Sequence, residues 1–192
     1  MRQTMLVLVV AFGALIGTAA ATASAPTTVV VQANVRTTDT GVSITAGTAA
    51  IVTASGHWDT CNGGCPSGPD GATNGNIGYC PGVYGRPAAE LVGSLDGGST
   101  FFDVGSGPTV IAGSPVVVFG SGRVIAGTGE LLLGGNDCAN YSDNTGYLTA
   151  TIVLFPTSKD ACKLDGWRNL QRRDGTSFEN QGNCVSYVST GK

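Results

Sequence analysis

The sequence predicts an all-β fold of the sandwich or jelly-roll type, and three observations carry that prediction. Charged residues make up 12% of the chain and glycine contributes 30 of its 192 residues, which suits short strands joined by many turns. Turn clusters separate Thr- and Val-rich runs at intervals of about 8–12 residues, as in β-sandwiches. No long stretch has the 3.6-residue period of an amphipathic helix.

Residues 1–25 have the composition of a secretory signal peptide. Arg2 provides a positive charge, residues 5–16 are apolar, and Ala23-Ser24-Ala25 fits the small-x-small cleavage pattern. The apolar run is shorter than the roughly 20 residues that a membrane-spanning helix needs. We therefore expect a secreted, extracellular protein with no membrane insertion, whose mature chain starts at Pro26.

The segment 26–156 is the predicted β domain. Its last strand candidate, 147–155, places Leu148, Ala150, Ile152 and Leu154 on one face. The sequence 104–113 is echoed by 119–127, which predicts two similar strand–turn pieces in one sheet. The other strand candidates are 28–35, 41–45, 49–56, 89–95, 116–119 and 130–133.

Residues 61–87 differ from the rest of this segment. They contain eight glycines and three cysteines but few large apolar side chains, so they cannot build much core. Loops of this length inside compact domains are usually functional or disordered. Because the cysteines permit cross-links, we expect an ordered surface loop.

A separate small unit, 157–192, is predicted after Pro156. Ser158 is placed to cap a short helix that runs towards Leu164 and ends at Gly166. A unit of this size needs a cross-link, and Cys162 with Cys184 is the obvious pair. Its expected small core consists of Trp167, Leu170, Phe178, Val185 and Tyr187.

Charge and cysteine content exclude several classes of partner and site. Residues 26–156 carry nine acids against three arginines, a net charge of −6, whereas 157–192 carry six bases against four acids, a net charge of +2. Nucleic acids and anionic lipids need a basic face, so we expect neither as a partner. Six cysteines in an exported chain favour disulfides, and the single histidine, His57, removes the usual Cys/His zinc patterns.

The richest cluster of oxygen donors lies between two apolar runs within 131–152. Calcium takes six to eight oxygen ligands in loose geometry, which this loop suits, whereas zinc prefers sulfur and imidazole. The same residue types also crowd ordinary turns, because their side chains bond the local backbone. The donors are the carboxylates of Asp137 and Asp143 and the amides of Asn136, Asn140 and Asn144.

Four short motifs give the chain a family resemblance. They are Thr-Asp-Thr-Gly-Val at 38–42, Ala-Gly-Thr to Gly-His-Trp at 46–58, Gly-Pro-Asp-Gly at 68–71 and Gly-Glu-Leu-Leu-Leu-Gly-Gly-Asn-Asp at 129–137. In this order they resemble the PA-I-type calcium-dependent galactose-binding lectins of bacteria and the exported domains related to them. The tail resembles a short element at the C-terminus of various exported actinobacterial proteins, and the matching residues are Cys162, Gly166, Trp167, Phe178, 180–182 and 184–186.

The resemblance implies a jelly-roll β-sandwich over 26–156, with a calcium ion that ligates two sugar hydroxyls. An aspartate, Asp143, stands where the lectins usually have an amide, and the segment after 68–71 has no recognisable His or Gln, although Asn74 and Asn76 are near. Asp137 would be the principal carboxylate ligand. The other implied ligands are the side chains of Asp143 and Asn144 and the main-chain carbonyls of Asn140 and Thr60.

The same implied geometry suggests two further disulfides. If Thr60 and Asp137 reach one ion, their neighbours Cys61 and Cys138 lie close enough to be joined. Cys65–Cys80 would then cross-link the Gly-rich loop. Six cysteines allow 15 connectivities, so this pairing is a hypothesis.

The expected function is that of a secreted, calcium-dependent carbohydrate-binding protein for glycans of the galactose type. Trp58 and Tyr141 are candidate platforms for a sugar ring, although an aromatic residue beside a strand is more often core. One alternative is a structural or interaction domain of the cell envelope with no ligand. A less favoured alternative is a secreted hydrolase using Asp59 and Asp137; because no catalytic motif is present, we expect no enzyme.

Overall fold

Two β-sheets form the body of the computed structural model, which describes residues 24–60, 64, 66–73, 83–113, 123–137 and 140–192. One sheet has the strand order β1-β10-β3-β7-β8 with β4 added beside β3, and the other has the order β2-β9-β5-β6. The all-β sandwich prediction is confirmed. The strands are β1 Thr27–Gln32, β2 Thr38–Ile44, β3 Thr48–Asp59, β4 Pro66–Ser67, β5 Leu91–Ser94, β6 Phe102–Asp103, β7 Thr109–Ala112, β8 Arg123–Ala126, β9 Gly129–Gly135 and β10 Thr145–Pro156.

The main core contains alternate residues of strands from both sheets. On β10, Leu148, Ala150 and Ile152 are buried, as their alternation predicts, whereas Leu154, the last residue of the predicted face, is only partly buried. Leu131 and Leu133 of β9, in the other sheet, belong to the same buried cluster. Because a one-residue slip would turn each apolar set outward, this burial fixes the strand register.

The echoed sequences form neighbouring parallel strands. The Val-Ile-Ala of β7 pairs in register with the Val-Ile-Ala of β8, so that Val110 lies opposite Val124 and Ile111 opposite Ile125. The prediction of two similar pieces in one sheet is therefore confirmed. The strand candidate 116–119 lies outside the described residues.

The predicted helix from Ser158 to Leu164 is wrong. Ser158 does cap a turn, because its Oγ accepts a hydrogen bond from the Ala161 backbone N–H at 3.3 Å. However, the turn is a short 3-10 segment, Asp160–Cys162, and Leu164 has a φ of +49°, which ends helical backbone. The helix of this unit is instead α1, Gln181–Thr190. No helix in the described part of the chain has the length and apolarity that a bilayer crossing requires.

The unit after Pro156 has its own small core and also contacts the sandwich. Cys162 and Cys184 form the predicted disulfide. With Leu170 and Phe178 they make a buried cluster that also touches Leu154 of β10. The other expected core members, Trp167, Val185 and Tyr187, pack against this cluster and are partly buried.

Candidate metal and ligand site

The predicted site residues lie at one end of the six-stranded sheet, where β3 ends and β10 begins. The two strands pair as far as Asp59 opposite Thr145. The next residue beyond each partner is Thr60 on one side and Asn144 on the other. The sheet therefore brings together two segments that are far apart in sequence, and β9 leads into Asp137 beside them.

Asn144 contacts Asp137 directly. Its side-chain nitrogen donates to Asp137 Oδ2 at 2.6 Å and to the main-chain carbonyl of Ala33 at 3.0 Å. Asn144 is 4% exposed, and its side-chain oxygen has no hydrogen-bond partner. Leaving a buried carbonyl unpaired costs about 1–3 kcal/mol, so this oxygen is the most unusual polar atom of the site.

Asn140 and Asp143 flank the short 3-10 turn Tyr141–Asp143 that leads into β10. Asn140 is exposed, and its side-chain oxygen accepts from Ser142 Oγ at 2.7 Å. The Asn140 carbonyl receives a long bond, 3.5 Å, from the Asp143 backbone N–H. Asp143 is half-buried. The turn thus carries one main-chain oxygen and one carboxylate in the four residues that precede Asn144.

Tyr141 closes the loop against Asp137. Its hydroxyl donates to the Asp137 main-chain carbonyl at 3.3 Å. Burial raises the pKa of this phenol, the negative charge of Asp137 raises it further, and Arg36 opposes both effects. Tyr141 is therefore a neutral hydroxyl at ordinary pH, half-buried beside the site.

The donor set consists of oxygen atoms. Among the described residues, no three His, Cys, Asp or Glu side chains form a group that could hold a metal ion. The candidate site has two carboxylates, Asp137 and Asp143, so further ligands would have to be amide and main-chain oxygens. Such mixed sets are used for calcium.

Asn136 is not available as a ligand, although its amide was a candidate from composition. Its side chain is 1% exposed and both ends of the amide are bonded. The oxygen accepts from the Val83 backbone N–H at 3.1 Å, and the nitrogen donates to the Pro87 carbonyl at 3.0 Å. Backbone bonds to Ala89 and Glu90 complete the attachment. Asn136 therefore fastens the end of the long loop next to Asp137.

Trp58 is a core residue and not a sugar platform. It is buried, its indole N–H donates to the Ala89 carbonyl at 3.0 Å, and its ring lies against Gly135. The aromatic residue that sequence reasoning missed is Tyr147, which is 53% exposed and lies opposite the exposed His57. Strand alternation predicts that Tyr147 points outwards, because it is out of phase with the apolar set of β10.

A polar cavity of about 210 Å³ is lined by none of the candidate ligands. Glu90 is buried and accepts from Arg86 at 2.8 Å and 3.1 Å, and Asp103 pairs with the same guanidinium at 2.8 Å. The hydrogen bond to Glu90 is the main cause that raises the pKa of Arg86. Asp70, which accepts from the Ser106 backbone N–H at 2.7 Å, forms another wall. This network fixes residues 83–90, which Asn136 also holds.

Several predicted residues lie outside the described part of the chain. They include Cys61, Cys65, Cys80 and Cys138, so the pairings Cys61–Cys138 and Cys65–Cys80 stay predictions. Asn74 and Asn76 belong to the same category.

Comparison with known proteins gives weak similarity to solved structures and nothing else. No family model matches the chain, and no curated protein matches it. Among solved structures, the chain is similar to a domain described as "EclA N-terminal domain; PllA-like lectin", with a TM-score of 0.46 and 20% sequence identity over 65% of this chain and 92% of that one. A similarity of this size transfers neither fold nor ligand, so function has to be argued from the residues themselves.

Proposed function

We propose that this chain is a secreted, non-catalytic lectin-like protein that binds carbohydrate through a calcium ion held by the loop 137–144. The observation that carries the proposal is the buried, unpartnered side-chain oxygen of Asn144, which belongs to an amide 2.6 Å from the Asp137 carboxylate. The four motifs that resemble calcium-dependent galactose-binding lectins support it. The Cys162–Cys184 disulfide agrees with an oxidising compartment.

A bound cation would provide a partner for the side-chain oxygen of Asn144. The Asn144 nitrogen bridges the Asp137 carboxylate and the Ala33 carbonyl, so it occupies the point where oxygens converge. Rotation of the amide by half a turn would direct its oxygen there instead, which is favourable only with a positive charge between the oxygens. Asp137, Asp143 and Asn144 would then bind calcium through side chains, and Asn140 and Thr60 through carbonyls.

Sugar binding would use the coordination positions of calcium that the protein leaves open. Calcium takes more ligands than five protein groups supply, and water fills the remaining positions. Two vicinal hydroxyls can replace two waters with matched oxygen donors and little strain. The residues around the ion, including the half-buried Tyr141, would choose among sugars, with galactose-type glycans as our first candidates.

Thermal unfolding with calcium and with chelator tests the metal. Calcium that binds the folded state at 100 times its Kd stabilises it by about 2.7 kcal/mol, and the melting temperature must rise accordingly. We expect Asp137→Asn to abolish this rise. Asp39→Asn is the control, because the Asp39 carboxylate likewise accepts a hydrogen bond, here from the Gly41 backbone N–H at 2.8 Å, but at an exposed position of β2. A full calcium shift in Asp137→Asn would contradict the ligand assignment.

A glycan array run in calcium and repeated with chelator tests the sugar. We expect binding that chelator abolishes and that Asp39→Asn retains. A calcium shift without glycan binding would indicate a metal-stabilised scaffold. An unchanged melting temperature would favour a structural domain of the cell envelope.

A further inference from the structure

The C-terminal unit holds Ser24, which lies three residues before the first residue of β1. Ser177 Oγ donates to the Ser24 carbonyl at 2.6 Å, and the Gln171 side-chain nitrogen donates to Ser24 Oγ at 3.0 Å. Pro26 lies against the turn at Gly175, which would have to move if it carried a side chain. Ser24 is thus a fixed part of the fold, joined to residues 147 and 153 positions away.

The side chain of Gln171, next to Ser24, has one polar atom without a hydrogen-bond partner. It is 2% exposed, and its side-chain oxygen has no hydrogen-bond partner. The nitrogen of the same Gln171 amide contacts the hydroxyl of Ser24. We therefore consider the backbone nitrogen of Ser24 as a partner for the Gln171 oxygen. As a peptide nitrogen it carries one proton, but as a free amino terminus it would carry three and a positive charge. The unpaired Gln171 oxygen, on the amide whose nitrogen already contacts the Ser24 hydroxyl, is a matched acceptor for that charge.

The sequence offers two cleavage patterns here. Ala21-Thr22-Ala23 fits the small-x-small rule as well as Ala23-Ser24-Ala25 does. Cleavage after Ala25 would have to break the bond to Pro26, a tertiary amide whose ring fixes the backbone and removes the N–H. Cleavage after Ala23 breaks an ordinary peptide bond and leaves Ser24 in the product.

We infer that processing occurs between Ala23 and Ser24, and that the new amino terminus of Ser24 binds the side-chain oxygen of Gln171. Water adds across the Ala23–Ser24 amide bond under a signal-peptidase-type hydrolase. Ala23 leaves as a carboxylate, and the released amine of Ser24 takes up a proton. The inference rests on the proposed secretion, and it makes the C-terminal unit a clamp for the processed end of the chain.

The first experiment expresses the full chain in an exporting bacterial host and determines the amino terminus of the protein in the medium by Edman sequencing and intact mass. We expect Ser24 as the first residue. A chain that starts at Pro26 would overturn the inference while leaving secretion intact. Unprocessed protein retained in the cell would overturn both.

The second experiment isolates the role of the charge. Two refolded proteins, one starting at Ser24 and one at Pro26, are compared by thermal unfolding, and the first is also prepared with an acetylated amino terminus. We expect the Ser24 protein to melt several degrees higher than the other two, and Gln171→Leu to remove the difference. Gln32→Leu, on the exposed side of β1, is the control and should preserve it. Equal melting temperatures for the Ser24 protein and its acetylated form would overturn the amino-terminal contact.

Discussion

Asn136 and Asn144 lie in the same connection between β9 and β10, and both amides are buried, but their hydrogen bonding differs. Every polar end of the Asn136 side chain is bonded to the segment 83–87. Asn144 keeps an oxygen without a partner. Burial alone therefore does not distinguish a structural amide from a candidate ligand, whereas the hydrogen-bond inventory does.

Asn136→Ala is expected to destabilise the fold by about 2–3 kcal/mol, because it leaves the Val83 N–H and the Pro87 carbonyl without their partner. Urea denaturation at constant pH measures the change. Asn140→Ala, at an exposed position of the same loop, serves as the control and should change stability by less than about 0.5 kcal/mol. Equal effects from the two substitutions would contradict the role given to Asn136.

Asp96 makes the stability of one turn depend on pH. Hydrogen bonds from the side chain and backbone of Thr100, then from Ser94, lower its pKa from 3.8 to about 2. Because the folded-state pKa lies below the unfolded value, this contribution is present above about pH 4 and is lost as the pH falls towards 2. We expect the difference in melting temperature between the natural protein and Asp96→Asn to shrink between pH 5 and pH 2. A difference that stays constant over this range would contradict the assignment.

At the scale of the element, alternation predicted the long strands well and the short ones poorly. β10 repeats an apolar residue at every second position, and the structure buries Leu148, Ala150 and Ile152 of that set but leaves Leu154 only partly buried. β4 and β6 have two residues each, too few for any period to show. The segment Gln181–Thr190 contains glycine and β-branched residues, which are weak helix formers, but Asn180 caps it by accepting from the Asn183 N–H at 2.9 Å. Local helix propensity does not specify this helix, so it depends on tertiary packing and on the disulfide.

The start of β9 depends on a close backbone approach. Gly129 has a φ of +146°, and a Cβ there would collide with the Leu95 carbonyl. We expect Gly129→Ala to cost more than about 2 kcal/mol in urea denaturation, from strain and displacement of the facing strand together. Gly97→Ala is the matched control, because Gly97 also has a positive φ, +72°, but no atom within 4 Å of the added carbon. A control as damaging as Gly129→Ala would show that conformation matters and space does not.

At the scale of the whole molecule, the sequence predicts which residues form the candidate site but not the contacts between them. The composition of 131–152 and the family motifs indicate Asp137, Asp143 and Asn144 from the sequence alone. The Asn144–Asp137 contact and the unpaired oxygen depend on how β3, β9 and β10 meet, which no local pattern encodes. The attachment of Ser24 to Gln171 is of the same kind, because it joins residues 147 positions apart in the sequence.

The Cys162–Cys184 disulfide is expected to stabilise the C-terminal unit. It closes a loop with a sequence separation of 22, for which the chain-entropy model gives roughly 3 kcal/mol. In the double substitution Cys162→Ala, Cys184→Ala, we expect limited proteolysis to cut within 157–192 while the sandwich stays protected. Protection of both parts would show that packing on Leu154 suffices without the cross-link.

The bond from the Gln171 backbone N–H to the Leu154 carbonyl, 2.8 Å long, has a consequence for solubility. Pairing between β1 and β10 ends at Ile152, so Leu154 lies beyond the reach of β1. The C-terminal unit supplies a hydrogen-bond donor there and covers backbone that would otherwise face outwards. In a chain cut at Pro156, this part of the β10 edge would be exposed. We expect copies of the truncated chain to pair through that edge and to aggregate.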